Sequence, residues 1–452
     1  MYLDVTWQDW CAAADRDALM LEAIDRYKAS GFFRHALEAS SYFRGENTAV
    51  GRKTVLRARK IETRDASGRK HIRSGTEDVV GNRIGSSFLF RFVTQQNQFL
   101  LANGCVLEDE AARRLLGPAF DHQLEMLGES ALLHGVSWGF WNVDHLEVIE
   151  AARDPLSGFL PLMDEMTGAV RAGIQFWQLP GSRPMYIRLF EEDGVTILRR
   201  EGKALSMVEP KRAYIMTVRS DALGDEVLSM ENYTSLPVLP LWANSEHQSE
   251  FTPAIKAKID AYDNILSDFA DNLDRANDVY WVLNNFGGTT EDIARMLEEI
   301  NRIKAVANLS DGTGASATAE PHTIEVPYAA RETALRLLEK ALYRDFMALD
   351  MDALTGGSLT NVAIRAATSS LHLKADRYEW QVFRFVQSLL HLLGVDTEAI
   401  RFPRQCIANE SETVADIYRM RQDIDRRTAL KLNPYIQPEE IDPLLAKEPD
   451  PC

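Results

Sequence analysis

Leu236-Pro237-Val238-Leu239-Pro240-Leu241-Trp242-Ala243-Asn244 divides the chain into two textures. Before it, across residues 135–232, short alternating runs at 174–178, 185–190, 195–199 and 213–218 are broken by Gly, Pro and Asp. That pattern predicts an antiparallel β region of meandering hairpins. After it, Ile255, Ile259, Tyr262, Leu266, Phe269, Leu273 and Ala276 step by four and three, a narrow apolar seam along one helix. The spacing fits both a coiled-coil-like seam and an ordinary amphipathic helix in one core. On the other face stand Asp260, Asp263, Asp268, Asp271 and Asp274, which are expected to meet water or a basic partner surface.

Upstream, residues 1–45 and 82–103 read as helices, the second stopped by Gly104, and a further helical stretch runs from Leu107 to about His134. Between the first two lies a basic arm, residues 51–74. It carries Arg52, Lys53, Arg57, Arg59, Lys60, Arg64, Arg69, Lys70, His71 and Arg73 against only Glu62 and Asp65. A solvated loop or hairpin is expected there, or a contact for an acidic partner.

Downstream comes a small mixed module: strands at 279–283, 303–306 and 323–326, a helix opened by Thr289 and Asp292, and a Gly/Ser/Ala loop at 311–316. After Pro327 a second helix turns Leu335, Leu338, Leu342 and Phe346 inward and carries a basic stripe, Arg336, Lys340 and Arg344. It breaks at Asp350-Met351-Asp352-Ala353-Leu354-Thr355-Gly356-Gly357-Ser358. A long helix is then expected over 359–393, about 50 Å at 1.5 Å per residue, with small polar residues in its first half. Trp380, Phe383, Phe385, Leu389, Leu390 and Leu393 in its second half are expected to form a core.

The chain has 452 residues, a prior of about three domains. Its formal net charge is −17, which excludes a protein that coats DNA through counterion release. Cys11, Cys105, Cys406 and Cys452 form no CxxC pair, so neither a zinc ribbon nor a disulfide framework is expected. The start, Met-Tyr-Leu-Asp, lacks the basic and apolar runs of a signal peptide, and no stretch reads as membrane-spanning. The segment from Gly45 to Thr54 puts five residues between its glycines and Arg before Lys, so it fails as a phosphate loop. No HExxH, G-x-S-x-G or GxGxxG occurs, and the nine histidines do not cluster at ligand spacing. Asp350 and Asp352 could hold a cation or act as an acid/base pair, but beside Thr355-Gly356-Gly357-Ser358 they fit a flexible loop better.

The 236–244 segment, the helix 258–268 and the elements at 42–47, 82–84, 100–104, 371–375 and 433–436, taken in order, resemble the portal proteins of tailed double-stranded DNA bacteriophages, the siphophage type. The 236–244 segment with Lys258-Ile259-Asp260-Ala261-Tyr262-Asp263-Asn264-Ile265-Leu266-Ser267-Asp268 is similar to that family's proline-rich segment and following helix. So are Tyr42-Phe43-Arg44-Gly45-Glu46-Asn47, Asn82-Arg83-Ile84, Leu100-Leu101-Ala102-Asn103-Gly104, Leu371-His372-Leu373-Lys374-Ala375 and Asn433-Pro434-Tyr435-Ile436.

The resemblance implies an α+β, mostly helical subunit with wing, stem, clip and tunnel helix and only a rudimentary crown. Mapped here, 1–249 would be wing, 250–278 the first stem helix, 279–327 the clip and 328–349 the second stem helix. A tunnel loop (350–361), a long tunnel helix (362–394), a wing return (395–432) and a short tail (433–452) would follow. It implies a non-enzymatic ring of about twelve copies at one capsid vertex, with no cofactor or metal. Double-stranded DNA would pass through it non-specifically. Terminase large subunit, head-completion adaptor, major capsid and scaffolding proteins would dock on it, in the virion and, during assembly, in the host cytoplasm, with no membrane. Asp352, Thr355, Gly356, Gly357, Ser358 and Asn361 would touch DNA from the tunnel loop. Asp260, Asp263, Asp271 and Asp274 would face Arg336, Lys340 and Arg344 of a neighbour, or the basic stripe would line the bore. A ring adaptor without a DNA channel, or a nucleotide-binding enzyme, are the alternatives.

Overall fold

A computed structural model describes residues 4–51, 53–64, 70–181, 183–202, 204–221, 224–276, 280–284, 318–322, 328–351, 360–397, 399–404, 409–420 and 423–446. The described residues form a mixed α+β protein with more helix than strand. The first elements are α1 (Trp7–Ala12), α2 (Arg16–Ala29), α3 (Gly31–Phe43), α4 (Thr48–Gly51), β1 (Thr54–Arg64) and β2 (Lys70–Val80). Next come α5 (Phe88–Leu101), β3 (Val106–Leu107), α6 (Glu110–Leu115) and α7 (Phe120–His134). The β region holds β4 (Val136–Asn142), β5 (His145–Glu150), β6 (Gly158–Met163), β7 (Val170–Gln178), β8 (Met185–Glu191), β9 (Gly194–Glu201), β10 (Ala204–Arg212), β11 (Ile215–Asp221), β12 (Gly224–Glu231) and β13 (Val238–Trp242). Then follow α8 (Pro253–Ala276), β14 (Tyr280–Asn284), β15 (Thr318–His322), α9 (Tyr328–Phe346) and α10 (Asn361–Leu392). The chain ends with β16 (Ile400–Arg401), α11 (Glu410–Arg419), α12 (Arg426–Leu432) and α13 (Pro438–Ala446).

Two compact units divide the chain: Met1–Arg44 with Ser87–Ile255 and Tyr343–Cys452, and Gly45–Ser86 with Lys256–Leu342. In the first, the expected single N-terminal helix is three, because Thr6, Asp15 and Ser30 each cap a new start with their side-chain oxygens. The β region is antiparallel as expected: a meander β10-β9-β8-β7-β6, a separate β11-β12 hairpin and the sheet β13-β4-β5. The Leu236–Leu241 run becomes edge strand β13, Val238 opposite Phe140 and Pro240 opposite Trp138. An edge tolerates the missing proline N–H. Tyr27, Phe33 and Ile24 pack on Leu160, Ile174, Phe176 and Ile187 of the meander, and a second cluster joins Trp138, Phe140, Phe159, Phe190 and Val238.

Three helix boundaries differ from expectation. The 107–134 stretch is two helices, split at Gly117, whose φ of 73° suits a residue without Cβ. The 82–103 helix begins only at Phe88. The long helix spans Asn361–Leu392, capped by Thr360. Its second half is not wholly core: Phe385, Leu389 and Leu390 are buried, but Trp380 is 58% exposed.

In the second unit the basic arm is the antiparallel hairpin β1-β2, from Thr54 opposite Val80 to Arg64 opposite Lys70. β14 and β15 pair antiparallel, Tyr280 opposite His322. The helix expected from Thr289 and the strands at 303–306 and 323–326 lie outside the described residues.

Candidate functional site

Two arrangements surround the predicted stem and tunnel-loop residues. The first runs along α8. From Phe251 just before it, the buried positions step strictly by four through Ile255, Ile259, Asp263, Ser267 and Asp271, so along the helix the buried line drifts by about 40° per step and leaves the apolar seam. Tyr262, Leu266 and Phe269 are half-buried and Leu273 is 45% exposed. What the polar positions meet is the extended backbone of residues 82–86. Ser86 N–H donates to Asp263 (3.0 Å), Ile84 N–H to Ser267 Oγ (3.1 Å) and Asn82 N–H to Asp271 (2.7 Å). Two extended residues advance about 6.6 Å and four helical residues about 6.0 Å, so the two repeats stay in step.

Side chains reinforce this ladder. Asn47 Nδ2 donates to Asp263, Asn82 Nδ2 donates to Asp271 (3.0 Å), and Lys53 Nζ lies 2.7 Å from Asp268 and 3.5 Å from Asp271. Burial pushes the Asp263 carboxyl above its ordinary range, against the lowering pull of Asn47 and Ser86. The expectation that this acidic face meets water or a basic partner is therefore corrected at Asp263 and Asp271. Both are consumed inside the chain, because backbone N–H groups of 82–86 need acceptors where no strand pairs with them. These N–H groups are also engaged too early for the 82–103 helix. Asp260 pairs with Lys256 on the same helix at 2.7 Å. The side chain of Asp274 lies outside the described set. The basic stripe stays at the surface: Arg336 pairs with Glu332 (2.8 Å), Arg344 touches Asp345 (3.3 Å) and Lys340 is exposed.

The second arrangement is the root of the predicted tunnel loop. α9 stops at Met347, whose φ of 62° is left-handed, while Ala348 N–H bonds Tyr343 O (2.9 Å) and Met347 N–H bonds Arg344 O (3.1 Å). This is a Schellman stop with methionine where glycine is usual. Neighbours fix it: Gln95 donates to Leu349 O (3.0 Å) and accepts from its N–H (2.8 Å), Arg91 donates to the Tyr343 hydroxyl (2.5 Å), and Phe92 stacks on Phe346 at 4.7 Å. From α10, Lys374 Nζ donates to Phe346 O (2.8 Å), pairs with Glu250 just before α8 (2.8 Å) and lies over the Phe346 ring. Burial pulls the Lys374 ammonium pKa down, and Glu250 pulls it back. Lys374 thus ties together the approach to α8, the end of α9 and the middle of α10. Spacing does not single it out; a lysine on the buried side of an apolar stretch was the available signal.

Asp352, Thr355, Gly356, Gly357 and Ser358 lie outside the described residues. Asn361 is the first residue of α10, not loop. Its N–H donates to Glu412 (2.5 Å), its Oδ1 accepts from Asn409 N–H (2.7 Å) and its amide donates to Thr413 (3.1 Å). Elsewhere in the first unit, His134 is buried between Ser40 Oγ (2.8 Å) and Ser130 Oγ (3.3 Å), and burial beside His35 pushes its pKa down to about 4. Among the described residues no His/Cys/Asp/Glu group could hold a metal, and no helix is long and apolar enough to cross a membrane.

The portal protein of Clostridium phage phiCD119 is 27% identical over 233 residues, 50% of this chain and 51% of that protein. The portal protein of Bacillus phage SPP1 is 28% identical over 222 residues, 45% of this chain and 42% of that protein. The aligned parts thus span about half the length of these curated relatives or less. Residues 32–449 match the family model described as phage portal protein, SPP1 Gp6-like. That match takes in every element from α3 to α13, and the chain belongs to this family of phage portal proteins.

Proposed function

We propose that the chain is the subunit of a closed ring of about twelve copies at one capsid vertex, the channel through which double-stranded DNA is packaged and ejected. The observation that carries this is the family match across 32–449. The ring is also a platform for terminase, head-completion adaptor, major capsid and scaffolding proteins. In this reading 1–249 and 395–432 are wing, α8 and α9 the stem, 279–327 the clip, 350–361 the tunnel loop and α10 the helix behind it.

A conduit must let DNA slide, and every neutralised phosphate adds affinity and friction. Net acidity, with the small residues Thr355-Gly356-Gly357-Ser358 between the stem and α10, suits contact without grip. Asp352 and Asn361 flank that loop. The exposed stripe Arg336, Lys340 and Arg344 serves the bore or the neighbouring subunit. Neither role involves catalysis.

Native mass spectrometry with negative-stain imaging tests the reading. A closed ring with a hole of duplex width supports it, a narrower bore points to a ring adaptor without a DNA channel, and a monomer at every concentration overturns it.

A further inference from the structure

α10 carries a second stripe on the side away from the core. Val362, Leu373 and Trp380 are 75%, 61% and 58% exposed, with Ala366 and Ser369 exposed between them. The steps are four, three, four and seven, so these residues lie on one face of the helix. Trp380 lies flat on half-buried Phe383, 5.7 Å between centroids at 10°. Arg377 and Arg384 stand one turn to either side; Arg377 reaches Glu246 at 3.3 Å, and Arg384 makes no ion pair among the described residues. Exposed tryptophan framed by arginine is the side-chain set that dominates binding energy in protein interfaces.

α7 of the same unit presents the complement. Met126 is 51% exposed between half-buried Glu125 and Glu129, and neither carboxylate has an ion pair among the described residues. Burial, then the like charges of Glu125 and Glu150, push the Glu129 carboxyl above its ordinary range. A cation placed there would relieve that repulsion.

The two patches point apart. Tyr378 of α10 lies against Gly128 of α7, where a Cβ would collide with its hydroxyl, and Asn97 of α5 sits beside both. Trp380 is two residues from Tyr378 and Met126 two residues from Gly128, and each step of two turns about 200° round its helix. Each patch therefore faces away from the shared contact, on opposite sides of one compact unit. A head-to-tail contact that closes a ring needs two different, complementary patches placed in this way, whereas a two-fold dimer would need one self-complementary patch.

We propose that the outer face of α10 in one copy, with Trp380 and Arg384 at its centre, docks on the Met126 and Glu129 face of α7 in the next copy. The inference rests on the ring reading and names the surfaces that make it. Double-stranded DNA is the poorer occupant, because Glu246, Asp376 and Glu379 stand among the few cations of the stripe and would repel phosphate.

The test uses the full chain and native mass spectrometry at a concentration where the wild type is ring. Trp380→Ala and Arg384→Glu each lower the assembled fraction about tenfold or more while thermal unfolding of the monomer stays unchanged. Glu129→Arg does the same, and Arg384→Glu with Glu129→Arg in one chain restores assembly. Should Glu129→Arg fail to fold, Met126→Ser on the same face of α7, where the side chain is 51% exposed, replaces it, with loss of assembly again expected. Rings that form equally well from all these variants overturn the contact and leave the ring reading intact. A duplex oligonucleotide that binds the wild-type chain and is lost in Trp380→Ala, while that variant still assembles, overturns it in favour of DNA. A wild-type chain that never assembles sinks both.

Discussion

Along α10 the buried positions are Ile364, Leu371, Ala375, Tyr378, Val382, Phe385, Val386, Leu389, Leu390 and Leu392 with the polar Thr368 and Gln381, while along the second half of α8 they are Asp263, Ser267 and Asp271. Both are long amphipathic helices. α10 buries side chains against side chains, where removal of apolar surface from water is the stabilising term. α8 buries side chains against the bare backbone of residues 82–86, where an unmet N–H would cost more than apolar contact returns. The apolar seam that looked like the inner face of α8 is left half-exposed as a result. Amphipathicity therefore shows which residues are alike, not which face is covered.

The largest effect is expected at Lys374, a charge on the mostly apolar inner side of α10. Lys374→Met removes the partner of Glu250 and the donor to Phe346 O together. Unfolding by urea should show a loss of about 3 kcal/mol, the low end for a buried pair, since a carboxylate only 18% exposed is left unpaired. If the loss is under about 1 kcal/mol, the junction is not held by this charge.

Acid acts with opposite sign on the α8 ladder and on His134 at the end of α7. His134 titrates at 6.5 when unfolded and at about 4 when folded, so the unfolded chain takes up the proton first. Its contribution is full above pH 6.5 and is lost as pH falls towards about 4, about 3 kcal/mol at 1.36 kcal/mol per unit. For Asp263 burial raises the folded value above 3.8. Its contribution is therefore full below 3.8 and is lost as pH rises through the folded value. Amide protection, taken relative to intrinsic exchange at each pH, should fall from pH 7 to 4 around His134 and not at Ser86, and His134→Gln should flatten the first response.

Asp263 probes the ladder on α8 directly. Asp263→Leu keeps the volume and removes the acceptor of Asn47 and Ser86, a loss of about 2 kcal/mol with faster exchange at Ser86. Asp263→Asn keeps one oxygen and should cost less. Equal stability for Leu and Asp there would mean that the ladder is ornamental.

Much of this fold was legible. The β region broke at Gly, Pro and Asp, α8 and α9 showed their periodicity, and the 236–241 run marked the change of texture. The ladder was not, because its partner strip is 177 to 189 residues away in sequence and its aspartates look the same whether bound or solvated. Trp380 was misplaced for a related reason: α10 has apolar residues on two faces, and composition cannot tell which is inside. The tunnel-loop residues were picked by resemblance and by Thr-Gly-Gly-Ser chemistry, and apart from Asn361 they lie outside the described residues. Lys374 had no spacing signal at all.

The smallest effect concerns the stop of α9. A non-glycine residue at φ 62° carries about 1 kcal/mol of backbone strain, yet Met347 keeps that shape because Gln95, Arg91 and Lys374 hold residues 343–349 from both sides. Met347→Gly relieves the strain but loosens the unfolded chain and gives up a half-buried side chain. The net should be a gain of about 0.5 kcal/mol, read as a slightly higher urea midpoint at unchanged slope. In Lys374→Met the same substitution should gain less, because a loosened clamp lets Met347 leave the left-handed conformation and leaves less strain for glycine to relieve. Additive effects of the two changes would mean that the left-handed stop is set by the local sequence and owes nothing to α10.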